Sequence, residues 1–138
     1  MLRLSNTTKN KLQKLGVGIV YLFGSQAQKT ATRQSDIDIG IVFVDPKKSV
    51  RHRLKLYTTI HTMVEGGAFT NMDGSRLDIS FLQQANPALA MAAMQYGVVL
   101  FEQSPIFRAN FEEQALKLYV DYLPLKYAYE KANFAAFA

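Results

Sequence analysis

The 138-residue sequence contains no cysteine, and that absence removes disulfide frameworks and thiolate metal sites at once. Any metal ion must be held by oxygen ligands or by His52 and His61. No stretch approaches the roughly 18 unbroken apolar residues that a membrane span needs. The N-terminal "MLRLSNTTKNKL" lacks the apolar core and small-residue cleavage site of a secretory signal, which predicts a cytoplasmic protein with no membrane partner. Internal repeats, low-complexity tracts and interdomain linkers are also missing. The length fits one compact domain with a sizeable core.

Charge is present in excess of one sign. The formal net charge of +5 and the pI near 9.5 favour an acidic partner: a nucleoside triphosphate, nucleic acid or an acidic protein surface. The cations read as scattered, with "KTATR" and "KKSVRHRLK" as the notable clusters. The second is expected to paint the solvated face of a helix.

Hydrophobic periodicity orders the elements. In "SNTTKNKLQKLG", Ser5, Asn6 and Thr7 offer helix caps, Leu12 and Leu15 lie three apart, and Gly16 supplies a stop. "VGIVYLFG" is a β-branched and aromatic run ending at Gly24, the pattern of a buried strand. A short helix and loop are expected from 25 to 35. "DIDIGIVFV" then alternates before turning wholly apolar and stopping at Asp45-Pro46, a second strand. Val50, Leu54, Tyr57, Ile60, His61 and Val64 recur at helical spacing, predicting one helix over about 49–65 that ends at Gly66-Gly67.

After the turn residues "NMDGS", "RLDISFL" repeats the alternating pattern and sets Asp78 among Leu77, Ile79 and Phe81. Asn86-Pro87 can cap and start the helix "ALAMAAMQYG", and "VVLFE" reads as a fourth strand. From Pro105 the tail is helical, with Phe107, Phe111, Ala115, Leu118 and Tyr122 along one side and a kink or break expected at Pro124. Short strands separated by helices indicate a small α/β (α+β) fold, one mixed sheet flanked by helices with a C-terminal helical tail. Residues 1–104 are expected to form the main domain, and 105–138 a helical extension packing on it or on a partner.

Three carboxylates carry the chemistry. On a strand, residues i and i+2 share a face roughly 6.6 Å apart. Asp36 and Asp38 therefore converge while Ile37 and Ile39 turn to the core. Asp78 stands in another short apolar strand, where an unpaired charge is costly. If these strands are neighbours, the three aspartates form an acidic cluster that a hard cation neutralises. Oxygen-only ligands favour Mg²⁺ or Mn²⁺, which suits nucleotide chemistry because Mg²⁺ combines one or two carboxylates with substrate phosphates. In a two-ion site the metals lie about 3.5–4 Å apart and stabilise both oxygens of an in-line displacement. Gly24-Ser25 supplies a phosphate grip: glycine admits the backbone close to the ligand, and the Ser25 hydroxyl can donate to a phosphate oxygen. Gly-Ser alone marks a turn and Asp-x-Asp alone decorates surfaces, but their conjunction with a third strand-borne aspartate is much rarer.

On "LFGS" at 22–25, "SDIDI" at 35–39 and "LDIS" at 77–80, the chain resembles the minimal nucleotidyltransferases of the DNA polymerase beta superfamily over about residues 17–101. Its Gly-Ser, ten residues, Asp-x-Asp signature is met without insertion. The resemblance implies the polymerase beta-like fold, two Mg²⁺ ions and transfer of a nucleotidyl group from a nucleoside triphosphate, with ATP the expected donor, and release of pyrophosphate. Carried onto this chain, Gly24 and Ser25 bind the triphosphate, Asp36 and Asp38 bridge the metals, and Asp78 completes the site and helps activate the acceptor. Lys29 stands where many members have glycine. The short stand-alone form resembles the antitoxin half of minimal nucleotidyltransferase/HEPN pairs, which implies adenylylation of a tyrosine on an RNA-cleaving HEPN toxin. The alternatives are a neutralising partner that binds without turnover and nucleotidyl transfer to a small molecule. Nucleic acid is not the expected direct substrate, because one small domain shows no template groove.

Overall fold

The computed structural model describes residues 3–24, 37–64 and 77–137. The chain opens with α1 (Asn6–Lys14), whose N-cap Ser5 accepts from the Thr8 N–H at 3.2 Å. Gly16 ends it with φ +87°, a left-handed turn, and the chain enters β1 (Val17–Phe23). There follow β2 (Ile37–Phe43), α2 (Pro46–Arg51), α3 (Arg53–Met63), β3 (Leu77–Phe81), a short 3-10 turn (Leu82–Gln84), α4 (Pro87–Tyr96), β4 (Val98–Glu102) and α5 (Pro105–Phe137).

The four strands make one mixed sheet in the order β3-β2-β1-β4. β1 pairs antiparallel with both β2 and β4, while β2 and β3 run parallel. A parallel pair cannot be joined by a tight turn, so the chain between them crosses over through α2 and α3.

Alternation along the strands feeds two cores. Ile37, Ile39, Ile41 and Phe43 of β2, with Leu77, Ile79 and Phe81 of β3, meet Leu56, Ile60 and Val64 beneath α3. On the other face Ile19, Tyr21 and Phe23 of β1 and Val42 of β2 pack against Leu82, Ala90 and Ala93, with Phe107 and Phe111 of α5 alongside. Gly18 is the seat of α5: a Cβ there would run into the ring of Phe107. The buried Tyr21 hydroxyl donates to Glu112 Oε1 at 2.8 Å, and Arg108 lies 3.2 Å from Glu102 at the end of β4. This polar pair of contacts ties α5 to the two strands beneath it.

Gln83 does the work of a missing strand residue. Its side-chain amide accepts from Phe43 N–H at 2.8 Å and donates to Phe43 C=O at 2.9 Å, closing the end of β2. An amide side chain carries the same donor and acceptor as a peptide group, so it can replace one ladder step.

Two expectations need correction. The helix expected over about 49–65 is two helices, because His52 leaves helical geometry at φ −122°, ψ 33°. It also starts earlier: Asp45-Pro46, read as a strand stop, is at once the N-cap and the first helical residue, with Asp45 Oδ1 accepting from Lys47 N–H at 3.0 Å. Of the kink or break expected at Pro124, the break does not occur, since α5 is continuous through it. Proline forfeits the bond to the carbonyl four residues earlier, and that residue, Val120, is exposed to water that can take its place. The elements expected at 25–35, the Gly66-Gly67 stop and the "NMDGS" turn lie outside the described residues. Among the described residues no helix is long and apolar enough to cross a membrane.

Candidate active site

Three strand ends meet at one edge of the sheet. β1 runs out at Phe23, whose partner on β2 is Asp38, and Asp38 in turn is the register partner of Asp78 on β3. In a parallel pair the strands are about 4.8 Å apart, so these two residues stand side by side. Their neighbours Ile37, Ile39, Leu77 and Ile79 are buried on the α3 face. Period two then sends both aspartates to the opposite face, with Asp38 half-buried and Asp78 exposed. Hydrophobic burial below thus fixes where the carboxylates point.

Gly24 closes the third side. It has φ +74°, a conformation that side chains other than glycine's rarely adopt, and a Cβ there would overlap the Asp38 carboxylate. The space beside Asp38 is therefore kept by the absence of a side chain. Further along the same face Leu82 covers Gly40, with its Cδ1 2.8 Å from where a Cβ would stand. Among the described residues cover stops there, and the aspartates sit on the rim beyond it.

Like charges in register on neighbouring strands repel, which makes the rim a place where positive charge is favoured. Two hard carboxylates, one of them against a glycine that carries no side chain, suit a divalent cation with its phosphate ligand. Asp38 and Asp78 are the described groups able to hold one. Ser25, Lys29 and Asp36 lie outside the described residues, and among the described residues no cluster of three or more metal-ligating side chains occurs. A mostly apolar groove of about 400 Å³, between Pro46, Leu82, Ala90, Phe107 and Phe111, opens at the far end of β2 and β3 and takes no part in this edge.

Sequence reasoning placed the aspartates on strands but left their adjacency open, because strand order is set by the crossover. Gln83 was missed altogether. Its only signal was a polar residue directly after an apolar strand.

No curated protein matches the sequence. Among solved structures, a chain of a toxin–antitoxin crystal structure with AMP-PNP is 24% identical, with 94% of this chain and 98% of that one covered and a TM-score of 0.55. A chain of the MntA–HepT toxin–antitoxin is 21% identical over 97% of this chain and all of that one, 100%, with a TM-score of 0.56. A chain from the tri-AMPylated Shewanella oneidensis HEPN toxin in complex with MNT antitoxin is 20% identical over 96% and 98%, with a TM-score of 0.54. At such identities the likeness is one of fold. The family model described as polymerase beta nucleotidyltransferase matches residues 6–106, most of the chain and every strand of the sheet, and the protein belongs to that family.

Proposed function

We propose that this protein is a Mg²⁺-dependent protein adenylyltransferase, transferring AMP from ATP to a tyrosine hydroxyl of a HEPN-family toxin and so acting as its antitoxin. One observation carries the reading: Asp38 and Asp78 stand in register, with the positive-φ Gly24 beside Asp38, where three strand ends meet. The fold shared with chains of toxin–antitoxin complexes, one with AMP-PNP and one with an AMPylated HEPN toxin, supports the choice of donor and acceptor.

In this reading Asp36, Asp38 and Asp78 would hold two divalent cations, Mg²⁺ or Mn²⁺, which when bound would supply the positive charge that stabilises the reacting phosphoryl oxygens. The remaining work belongs to the chain. Gly24 leaves room for phosphate oxygens beside Asp38, and the Ser25 hydroxyl donates to one of them. Asp78, the more exposed carboxylate, accepts the proton of the acceptor hydroxyl. The acceptor oxygen bonds to the α-phosphorus as the bond to the β-phosphate oxygen breaks, and pyrophosphate leaves. The cytoplasm is the matching compartment.

The test is incubation with labelled ATP, Mg²⁺ and a HEPN-family toxin, sought first in the product of the adjacent gene. Label should enter the toxin with the native protein and not with an Asp36→Ala/Asp38→Ala variant. No transfer by the native protein, or equal transfer by the variant, would overturn the reading. A second reading, neutralisation by binding alone, is favoured by the exposed Leu125, Tyr127 and Tyr129 on distal α5. Rescue from the toxin by the folded double variant would establish it.

A further inference from the structure

The excess positive charge is concentrated in one of the two basic clusters of the sequence. Residues 47 to 55 hold five of the sixteen Lys and Arg and none of the eleven Asp and Glu. The other eleven cations are matched by eleven carboxylates, so the whole net charge of +5 resides in nine residues. Those nine residues are α2 and the start of α3.

Four of the five cations, Lys47, Arg51, Arg53 and Lys55, are exposed, whereas Lys48 donates to the Leu15 carbonyl at 3.0 Å. Ser49 and Leu56 are the buried positions that turn the cations outward. Lys47 and Arg51 lie one turn apart on the same side of α2. Among the described residues the ion pairs join Arg108 to Glu102 and Glu112 and Lys117 to Glu113, all on or beside α5, so none quenches this surface. Helix stability accounts for only two of the charges, Lys48 and Arg51, which stand in the last turn of α2 where the dipole favours cations. Arg53 and Lys55 stand in the first turn of α3, which has no acidic residue, where the helix dipole disfavours cations.

We infer that the outer surface of α2 and the first turn of α3 is a docking site for the phosphate backbone of duplex DNA, separate from the aspartate edge. A dense, unquenched cationic helical face is the electrostatic footprint of nucleic-acid binding, and the major groove of B-form DNA admits a helix. Single strands are disfavoured because residues 47 to 55 carry no Phe, Tyr or Trp on which bases could stack, and the nearest ring, Tyr57, is already packed against His61 and Phe81. The patch begins after the C-terminal end of β2, whereas Asp38 lies near its start, so docking leaves the nucleotide edge open.

The experiment uses a labelled random-sequence 20-base-pair DNA duplex, with duplex RNA, single-stranded DNA and polyglutamate of equal charge as the other probes. Four phosphate contacts predict a log–log salt slope of about −3.6, a loss of roughly 150-fold in affinity between about 50 and 200 mM salt. Arg51→Ala/Arg53→Ala/Lys55→Ala, all at exposed positions, should lower that slope to about −1, with its thermal melt checked against the native protein. Lys11→Ala/Lys14→Ala/Lys117→Ala, which removes the same charge elsewhere, should retain the native slope, and saturating ATP should not compete. The inference is overturned by no duplex binding at about 100 µM protein in low salt, by equal loss in the control variant, or by equal or tighter binding of duplex RNA, single strands or polyglutamate.

Discussion

Replacing Gly24 with alanine tests the assembly of the nucleotide edge at its tightest point. At φ +74° a Cβ costs about 1–2 kcal/mol in local strain, whatever surrounds it. Here the added carbon also overlaps Asp38 Oδ2 and stands 3.2 Å from its Cγ, so the carboxyl must retreat by roughly 1 Å. A displacement of that size in a positioning group costs on the order of 100-fold in rate, equivalent to about 2.7 kcal/mol of barrier. The variant should therefore lose about 1–2 kcal/mol in urea denaturation while remaining folded, and its transfer from labelled ATP should fall about 100-fold at saturating Mg²⁺. Gly18→Ala serves as the comparison. Its Cβ collides with the Phe107 ring, far from the aspartates, so it should cost stability without a matching loss of turnover per folded molecule. Native transfer by folded Gly24→Ala, or an equal rate loss in both variants, would refute the argument.

Asp78→Asn should abolish transfer, yet stabilise the metal-free fold by about 0.2–1 kcal/mol, because it removes a like charge from the position beside Asp38. Adding Mg²⁺ should raise the melting temperature of the native protein and not of this variant, as calorimetry would show. Gln83→Ala should cost about 1–3 kcal/mol by stripping Phe43 of a donor and an acceptor, and Gln83→Glu should not restore it because a carboxylate cannot donate to the Phe43 carbonyl. Burial, reinforced by the hydrogen bond to Glu112, holds the Tyr21 hydroxyl well above its ordinary pKa of 10.0. The stability this contributes is complete below that value and is lost as pH rises above it, so urea midpoints should fall more steeply there for the native protein than for Tyr21→Phe.

The sheet was legible because its strands differ from their surroundings in two ways at once. β1 and the end of β2 are uninterrupted apolar runs, and β3 alternates, so period and composition agreed. Asn86-Pro87 marked the start of α4 for the same reason a designer would choose it: an oxygen to accept from Ala88 N–H, then a residue with no N–H to leave unsatisfied. Asp45-Pro46 carries the same signature and was read only as the end of a strand. The joint at His52 was invisible, since the apolar spacing from Val50 to Val64 continues across it and no Gly or Pro announces the turn. At the site, each aspartate's face followed from period two, but that Asp38 and Asp78 stand opposite one another depends on which strands pair. No local pattern encodes that choice.

The register between β2 and β3 links the reaction to the folding of the chain. Sliding β3 by one residue would swing Asp78 toward α3 and turn Leu77, Ile79 and Phe81 out to water, losing core and carboxylate pair together. The two aspartates can therefore meet only in a molecule whose crossover through α2 and α3 has closed and whose core on that face is complete. A metal ion held between them would read the correctness of the fold, and a misfolded copy would have no partial activity to offer.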